Sequence, residues 1–181
     1  MVYKFLVGSE ESENFKLEIA IDSSDTFVRL RNVILDAAGY DKSQIDSFYI
    51  CDDDWRKEKE VTYVDMDTDS DEDIWLMEET NLDELLEDEG QKLKFVFDYL
   101  NERYFYMVLA ETIPGKNMLD PLCQRKEGRA PKESLDAIDE NKSVKLTSAS
   151  IEDLDEEFYG EDGFNEDELG ELGEFEDEEI Q

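Results

Sequence analysis

The sequence contains no histidine and only two cysteines among its 181 residues. Without an imidazole, the chain cannot form a Ser-His-Asp or Cys-His nucleophile system, a histidine general base or a histidine-containing zinc site. Cys51 and Cys123 are too few for a four-thiolate metal site. No stretch approaches the roughly 18 consecutive apolar residues of a membrane-spanning helix, so no such helix is predicted.

Basic residues are also scarce, since 18 Lys and Arg stand against 52 Asp and Glu, for a net charge of −34. Binding to nucleic acids and to anionic membranes depends on Lys and Arg, so neither is predicted as a direct partner. A basic protein is the partner that this charge favours. The short apolar run at the N-terminus indicates a strand rather than a signal peptide. Together with the two cysteines, it predicts a cytoplasmic protein with reduced thiols.

The acidic residues are concentrated at the C-terminal end, where residues 151–181 contain 16 acids and no base. We therefore predict one domain over residues 1–146 and an acidic, low-complexity, disordered tail over residues 147–181. The aromatic residues of this tail leave two interpretations open. The tail either docks on a basic surface or serves as a solubilising extension.

Hydrophobic periodicity in the first 146 residues predicts alternating strands and helices. The predicted order is ββαββαββ, which indicates an α+β domain with helices packed on a mixed or antiparallel sheet, and a β-grasp-like topology is compatible with it. Strands are predicted at residues 2–7, 15–21, 45–51, 60–66, 93–100 and 104–111. The irregular segment 113–133 contains all three prolines.

Two segments have the capping and spacing of helices. The first begins after Ser24 or Asp25, places Phe27, Leu30 and Ile34 on one face, and ends at Gly39. The second is predicted over residues 80–89, with Thr80 and Asp83 as a capping box. The 93–100 strand is apolar on both faces, so we predict that it is central and that the first helix packs over the sheet.

One acidic segment resembles a calcium-binding loop. Asp67, Asp69, Asp71 and Glu78 occupy positions 1, 3, 5 and 12 of the template. Glu72 stands where the template needs glycine, and a strand instead of a helix precedes the segment. A solvated acidic loop is therefore the favoured interpretation. No cofactor is expected, and calcium is the one weak candidate. Trp55, in a polar turn, is expected to fold back on the core.

Four segments resemble one known family. Residues 25–41, DTFVRLRNVILDAAGYD, resemble its signature T-(F/L)-x-x-L-x-x-x-I-x-x-A-x-G-(W/Y)-D. Residues 47–50 and 95–99 resemble its next strand and its aromatic F-x-Y-D-F strand. The segment from Pro121 to Glu133 resembles P-x-C-x(4)-G-x-A-P-P-E. The chain is thereby similar to the plasmid pRiA4b ORF-3-like family of insertion-element passenger, TnpR-like proteins.

This resemblance implies an α+β domain, a bacterial intracellular setting and an association with mobile elements. It implies no reaction. The family commonly carries histidines before its third strand and after its aromatic strand, whereas this chain has residues 44–46 and 100–103 there without histidine. Any chemistry that depends on those histidines is absent from this member.

Three functional hypotheses follow. The preferred one is a non-enzymatic interaction or accessory domain that binds a basic partner. The first alternative is an acidic nucleic-acid mimic that occupies a DNA-binding protein. The second is a carboxylate-based metal-binding protein or hydrolase that uses the four acids of the calcium-like loop.

Overall fold

The computed structural model describes residues 1–65 and 74–135. The segment Met1–Leu135 is one compact unit. The predicted acidic tail and most of the calcium-like loop lie outside the described residues. In chain order the elements are β1 (Val2–Gly8), β2 (Lys16–Asp22), α1 (Phe27–Ala38), β3 (Ser47–Cys51), β4 (Lys57–Thr62), β5 (Ile74–Leu76), α2 (Leu82–Leu85), β6 (Lys92–Asp98), β7 (Arg103–Ile113) and β8 (Leu122–Glu127).

All eight described strands form one mixed sheet in the order β5-β4-β3-β6-β7-β1-β2-β8. Neighbouring strands are antiparallel except for β4 and β5, which are parallel. The predicted α+β class with order ββαββαββ, including a β-grasp-like roll, is wrong. The described residues are 43% strand and 13% helix, and the observed order is ββαβββαβββ.

The two additional strands explain much of this difference. The strand β5 has only three residues, too few for a periodic signal, and it joins the sheet through parallel pairing with β4. The strand β8 lies within the segment predicted to be irregular. It pairs with β2 at the sheet edge, and its charged residues are typical of an edge strand. Pro121 directly precedes β8, a position where proline is compatible with a strand.

The second helix is a single turn instead of the predicted ten residues. Its capping box is formed by Asn81 and Glu84, not by Thr80 and Asp83, and the chain becomes extended at Leu86. Three acids follow at residues 87–89. Negative charge is unfavourable at a helix C-terminus, because the helix dipole is negative there, so the helix ends before this run.

The first helix and the central strand agree with the prediction. Phe27, Leu30 and Ile34 of α1 are fully buried in the core, although the N-cap is Thr26 rather than Ser24 or Asp25. Gly39 ends the helix in the left-handed conformation, with φ 76°. The strand β6 is interior in the sheet, between β3 and β7.

Both helices contribute to the same hydrophobic core. Leu82 and Leu86 belong to the core cluster together with the α1 stripe, and the Tyr3 hydroxyl donates to the Leu86 carbonyl oxygen at 2.8 Å. Tyr3 also belongs to this cluster. The opposite face of the sheet therefore carries neither of the two described helices. Among the described residues, no helix has the length and apolar character needed to span a membrane.

Candidate functional site

The helix-free face of the sheet is built from the side chains that alternate with the core residues. Strand pairing places Tyr49 opposite Lys94, Lys94 opposite Tyr106, and Tyr106 opposite Gly8. Because directly paired residues point to the same side of a sheet, these residues form one row across four strands, and Glu60 of β4 extends the row through its pairing with Tyr49. In the next row, Lys57 pairs with Cys51 and Cys51 pairs with Lys92. We call Tyr49, Trp55, Lys57, Lys92, Lys94, Tyr104 and Tyr106 the lysine–aromatic face.

Each lysine of this face lies against an aromatic ring. The Lys57 Nζ is 4.2 Å from the centre of the Tyr49 ring, and the Lys94 Nζ is 4.7 Å from the Tyr104 ring. The Lys92 Nζ is 5.3 Å from the Trp55 ring. These separations lie within the range in which a ring attracts an ammonium group. The rings therefore hold the three ammonium groups on the surface of the sheet.

None of the ion pairs in the described part of the chain involves these three lysines. Lys92 donates to the Asp53 carbonyl oxygen at 2.6 Å, which is a neutral acceptor. Most lysines of the described residues likewise form no ion pair, and only Lys4 and Lys42 pair with carboxylates, those of Glu111 and Asp36. These three ammonium groups of the lysine–aromatic face thus form no ion pair within the described residues, although the Glu60 carboxylate lies next to Tyr49 on the same face.

Trp55 and Tyr106 are positioned by unusual backbone features. Trp55 has φ 65°, a conformation that is strained for a side chain of this size. Its indole contacts the Tyr106 ring edge-on, with 6.1 Å between ring centres. The Tyr106 ring lies so close to the Gly8 backbone that a Cβ there would be 2.7 Å from Tyr106 Cε2. The expectation that Trp55 folds back on the core is wrong, because it packs on the helix-free face instead.

A hydrogen-bonded cluster lies beside this face. The fully buried Ser47 donates from Oγ to Glu60 Oε1 at 3.0 Å and also contacts the Tyr99 hydroxyl, which is 3.3 Å from the same carboxylate oxygen. Burial raises the pKa of both Tyr49 and Tyr99, and Glu60 raises it further. These phenols therefore stay protonated at neutral pH and serve as hydrogen-bond donors, not as bases.

A second surface is formed by acidic residues around α2. The sequence has no Lys or Arg between Lys59 and Lys92. Within residues 78–89, all the acidic side chains are exposed, and none takes part in an ion pair shown by the described residues: Glu78, Glu79, Asp83, Glu84, Glu87, Asp88 and Glu89. We call these seven residues the acidic band. Because α2 packs on the core side of the sheet, its two acids, Asp83 and Glu84, lie on the side opposite the lysine–aromatic face.

The structure brings together little of the predicted calcium-like site. Asp67, Asp69 and Asp71 lie outside the described residues, and Glu78 is an exposed residue of the turn after β5. Within residues 1–65 and 74–135, no three Cys, Asp or Glu side chains converge as a metal site would require. Calcium binding at these four residues stays the weaker of the two sequence-based interpretations, beside a solvated acidic loop.

Sequence reasoning did not identify the lysine–aromatic face. The alternating pairs Lys92/Lys94 and Tyr104/Tyr106 were the available signal, since alternate residues of a strand share a face. The partner of each lysine comes from a different part of the chain, however. The sequence does not give the strand register that brings these partners together.

Comparisons with known proteins fit this architecture. The family model for the plasmid pRiA4b ORF-3-like protein matches residues 10–166. The crystal structure of a protein of unknown function from Methanosarcina mazei Go1 is similar, with a TM-score of 0.57, 11% sequence identity and coverage of 82% of each chain. At this identity the likeness concerns the fold alone. No curated protein matches the chain.

Proposed function

The chain belongs to the plasmid pRiA4b ORF-3-like protein family, and we propose that it acts as a non-enzymatic interaction domain that binds a basic partner protein. The family description names no reaction. The observation that carries the proposal is the acidic band itself. All seven of its carboxylates are exposed, and none takes part in an ion pair of the described residues.

The acidic band suits docking for a physical reason. Its carboxylates are exposed, so binding a basic surface requires little desolvation, and each new ion pair contributes about 0.2–1 kcal/mol. Several carboxylates close together also raise the local concentration of a cationic partner and speed its association. Leu82 and Leu86 anchor the band to the core, which keeps it at a defined position.

A basic peptide of 12 alternating Lys and Ala residues provides a defined probe. The full-length protein and a variant that removes three charges of the band, Glu78→Gln/Asp83→Asn/Glu87→Gln, are titrated with the labelled peptide. A control variant, Glu13→Gln/Asp53→Asn/Glu58→Gln, removes the same charge from exposed sites elsewhere. We expect the band variant to bind about tenfold more weakly and the control to bind like the wild type.

Equal loss of affinity in the two variants would show attraction to the net charge alone and would refute a docking surface at the band. Raised salt should weaken binding to the wild type, because exposed ion pairs are screened. The nucleic-acid-mimic alternative predicts in addition that DNA displaces the chain from its partner. Binding of DNA and this chain at the same time would exclude that alternative.

A further inference from the structure

The lysines of the lysine–aromatic face belong to a chain with 52 acidic residues. With nearly three acids for every base, a surface lysine has many potential carboxylate partners. Among the described residues, however, only Lys4 and Lys42 form ion pairs, so the absence of an ion pair is usual for a lysine here. Lys57, Lys92 and Lys94 differ from the other lysines because all three lie against rings on one face of the sheet.

The geometry of these cations is fixed by the sheet. Lys57 and Lys92 are both paired with Cys51, on either side of it, and neighbouring strands are about 4.8 Å apart. The backbones of Lys57 and Lys92 are thus about 10 Å apart. Lys94 lies two residues from Lys92 along β6, at a distance of about 7 Å. An ammonium group has three donors, so each lysine can bind a ring and still donate to a carboxylate.

An apolar region continues the lysine row. Lys92 pairs with Val108, which in turn pairs with Leu6, whose side chain is 51% exposed. Trp55 and Tyr106 are partly buried beside it. An exposed leucine and partly buried rings next to cations that form no ion pair favour a ligand that combines negative charge with a large apolar group.

We propose that the lysine–aromatic face binds an acidic peptide segment of a partner protein, with carboxylates at the lysines and an aromatic side chain at Leu6 and Val108. The spacing of Lys92 and Lys94 suits an extended peptide, because alternate residues of a strand are about 7 Å apart. This interaction goes beyond the binding of a basic partner at the acidic band. It makes the chain a domain with two docking surfaces of opposite charge.

Two observations favour a peptide over a single-stranded nucleic acid. The lysines occupy positions over the Tyr49, Trp55 and Tyr104 rings, where a nucleic acid would have to stack its bases. The net charge of −34 also opposes a strand with one phosphate per nucleotide more than it opposes a peptide with two or three carboxylates.

The test uses the full-length protein and the fluorescein-labelled peptide Glu-Glu-Phe-Glu-Glu-Phe-Glu-Glu, with fluorescence anisotropy as the readout. The variant Lys57→Gln/Lys92→Gln/Lys94→Gln should bind about tenfold more weakly, since three exposed ion pairs are lost. The control variant Lys42→Gln/Lys116→Gln/Lys126→Gln has the same net charge and should bind like the wild type. Unchanged affinity in the first variant, or equal loss in both, would overturn the proposal.

A second readout reports the location of the peptide without any change in the lysines. The chain has two tryptophans, so Trp75→Phe leaves Trp55 as the sole indole. Peptide binding should shift the emission of Trp55, and a binding curve without such a shift would count against this face.

Changes in the probe distinguish an acidic peptide ligand from a nucleic acid and from binding that does not need carboxylates. The same peptide with Gln in place of Glu should not bind, and binding of equal strength would refute the need for carboxylates. A ten-nucleotide oligothymidylate is the nucleic-acid probe. If it binds the wild type more tightly than the peptide does, and binds the Lys57/Lys92/Lys94 variant more weakly than the wild type, the ligand is a nucleic acid and the peptide proposal is refuted. The basic peptide that tests the acidic band should be unaffected by these lysine variants, so each proposal can fail independently.

Discussion

The close packing of Tyr106 on Gly8 predicts that Gly8→Ala destabilises the wild type but stabilises a variant without the Tyr106 ring. In Gly8→Ala, the new Cβ would lie 2.7 Å from Tyr106 Cε2 and closer still to the phenol end of the ring. An ordinary carbon contact needs about 3.5 Å, so the ring must move outward by roughly 1 Å. Such overpacking costs about 1–3 kcal/mol. The move also disturbs the edge contact between Tyr106 and Trp55.

Without the Tyr106 ring, the same mutation should be favourable. Alanine is more stable than glycine in a strand by about 0.5–1 kcal/mol, and Gly8 does not have a positive φ. We therefore expect Gly8→Ala to lower the free energy of unfolding in the wild type and to raise it in Tyr106→Ala. Urea unfolding of the four variants, followed by far-UV circular dichroism, measures this coupling. A stabilising effect of Gly8→Ala in both backgrounds would refute the described packing.

Three further predictions concern the core, pH and the thiols. Leu30→Ala should lower the free energy of unfolding by about 2–5 kcal/mol, because Leu30 is fully buried; a loss below 1 kcal/mol in a urea titration would contradict its position over the sheet. The backbone N–H of Met118 donates to the Asp22 carboxylate at 3.0 Å and lowers its pKa, so this stabilisation is present above the ordinary pKa near 4 and is lost as pH falls through the lowered value. The free energy of unfolding of Asp22→Asn should consequently fall less steeply with acid than that of the wild type, and parallel pH profiles would argue against this bond. Native labelling with iodoacetamide, read by mass spectrometry, should modify the partly exposed Cys123 before the buried Cys51, because burial raises the pKa of both thiols but only Cys123 is accessible to the reagent; faster labelling of Cys51 would contradict its burial in the sheet.

The sequence was sufficient for elements with strong local signals. The stripe of Phe27, Leu30 and Ile34 repeats at helical spacing, and Gly39 provides the left-handed C-terminal residue, so α1 follows from local physics. The central strand β6 was identified because both of its faces are apolar, which is typical of a strand with neighbours on each side.

Tertiary pairing decided the elements that sequence reasoning missed. The strand β5 is too short and β8 has too few apolar residues to show periodicity, and both exist because β4 and β2 offer free edges. The second helix is shorter than predicted because three acids follow its capped turn. The lysine–aromatic face depends on cross-strand register, which composition does not reveal. The net charge of −34 favours a basic partner and gives no indication of a surface that binds acidic groups.

Carboxylate footprinting tests the central claim, that a basic partner docks on the acidic band, most directly. Exposed Asp and Glu side chains are modified with carbodiimide and glycinamide in the presence and absence of the Lys-Ala peptide, and the modified residues are quantified by mass spectrometry. We predict that the peptide protects Glu78, Asp83 and Glu87 but leaves Glu13 and Glu58 fully reactive. Uniform protection of all five side chains, or protection of none, would contradict a defined docking surface.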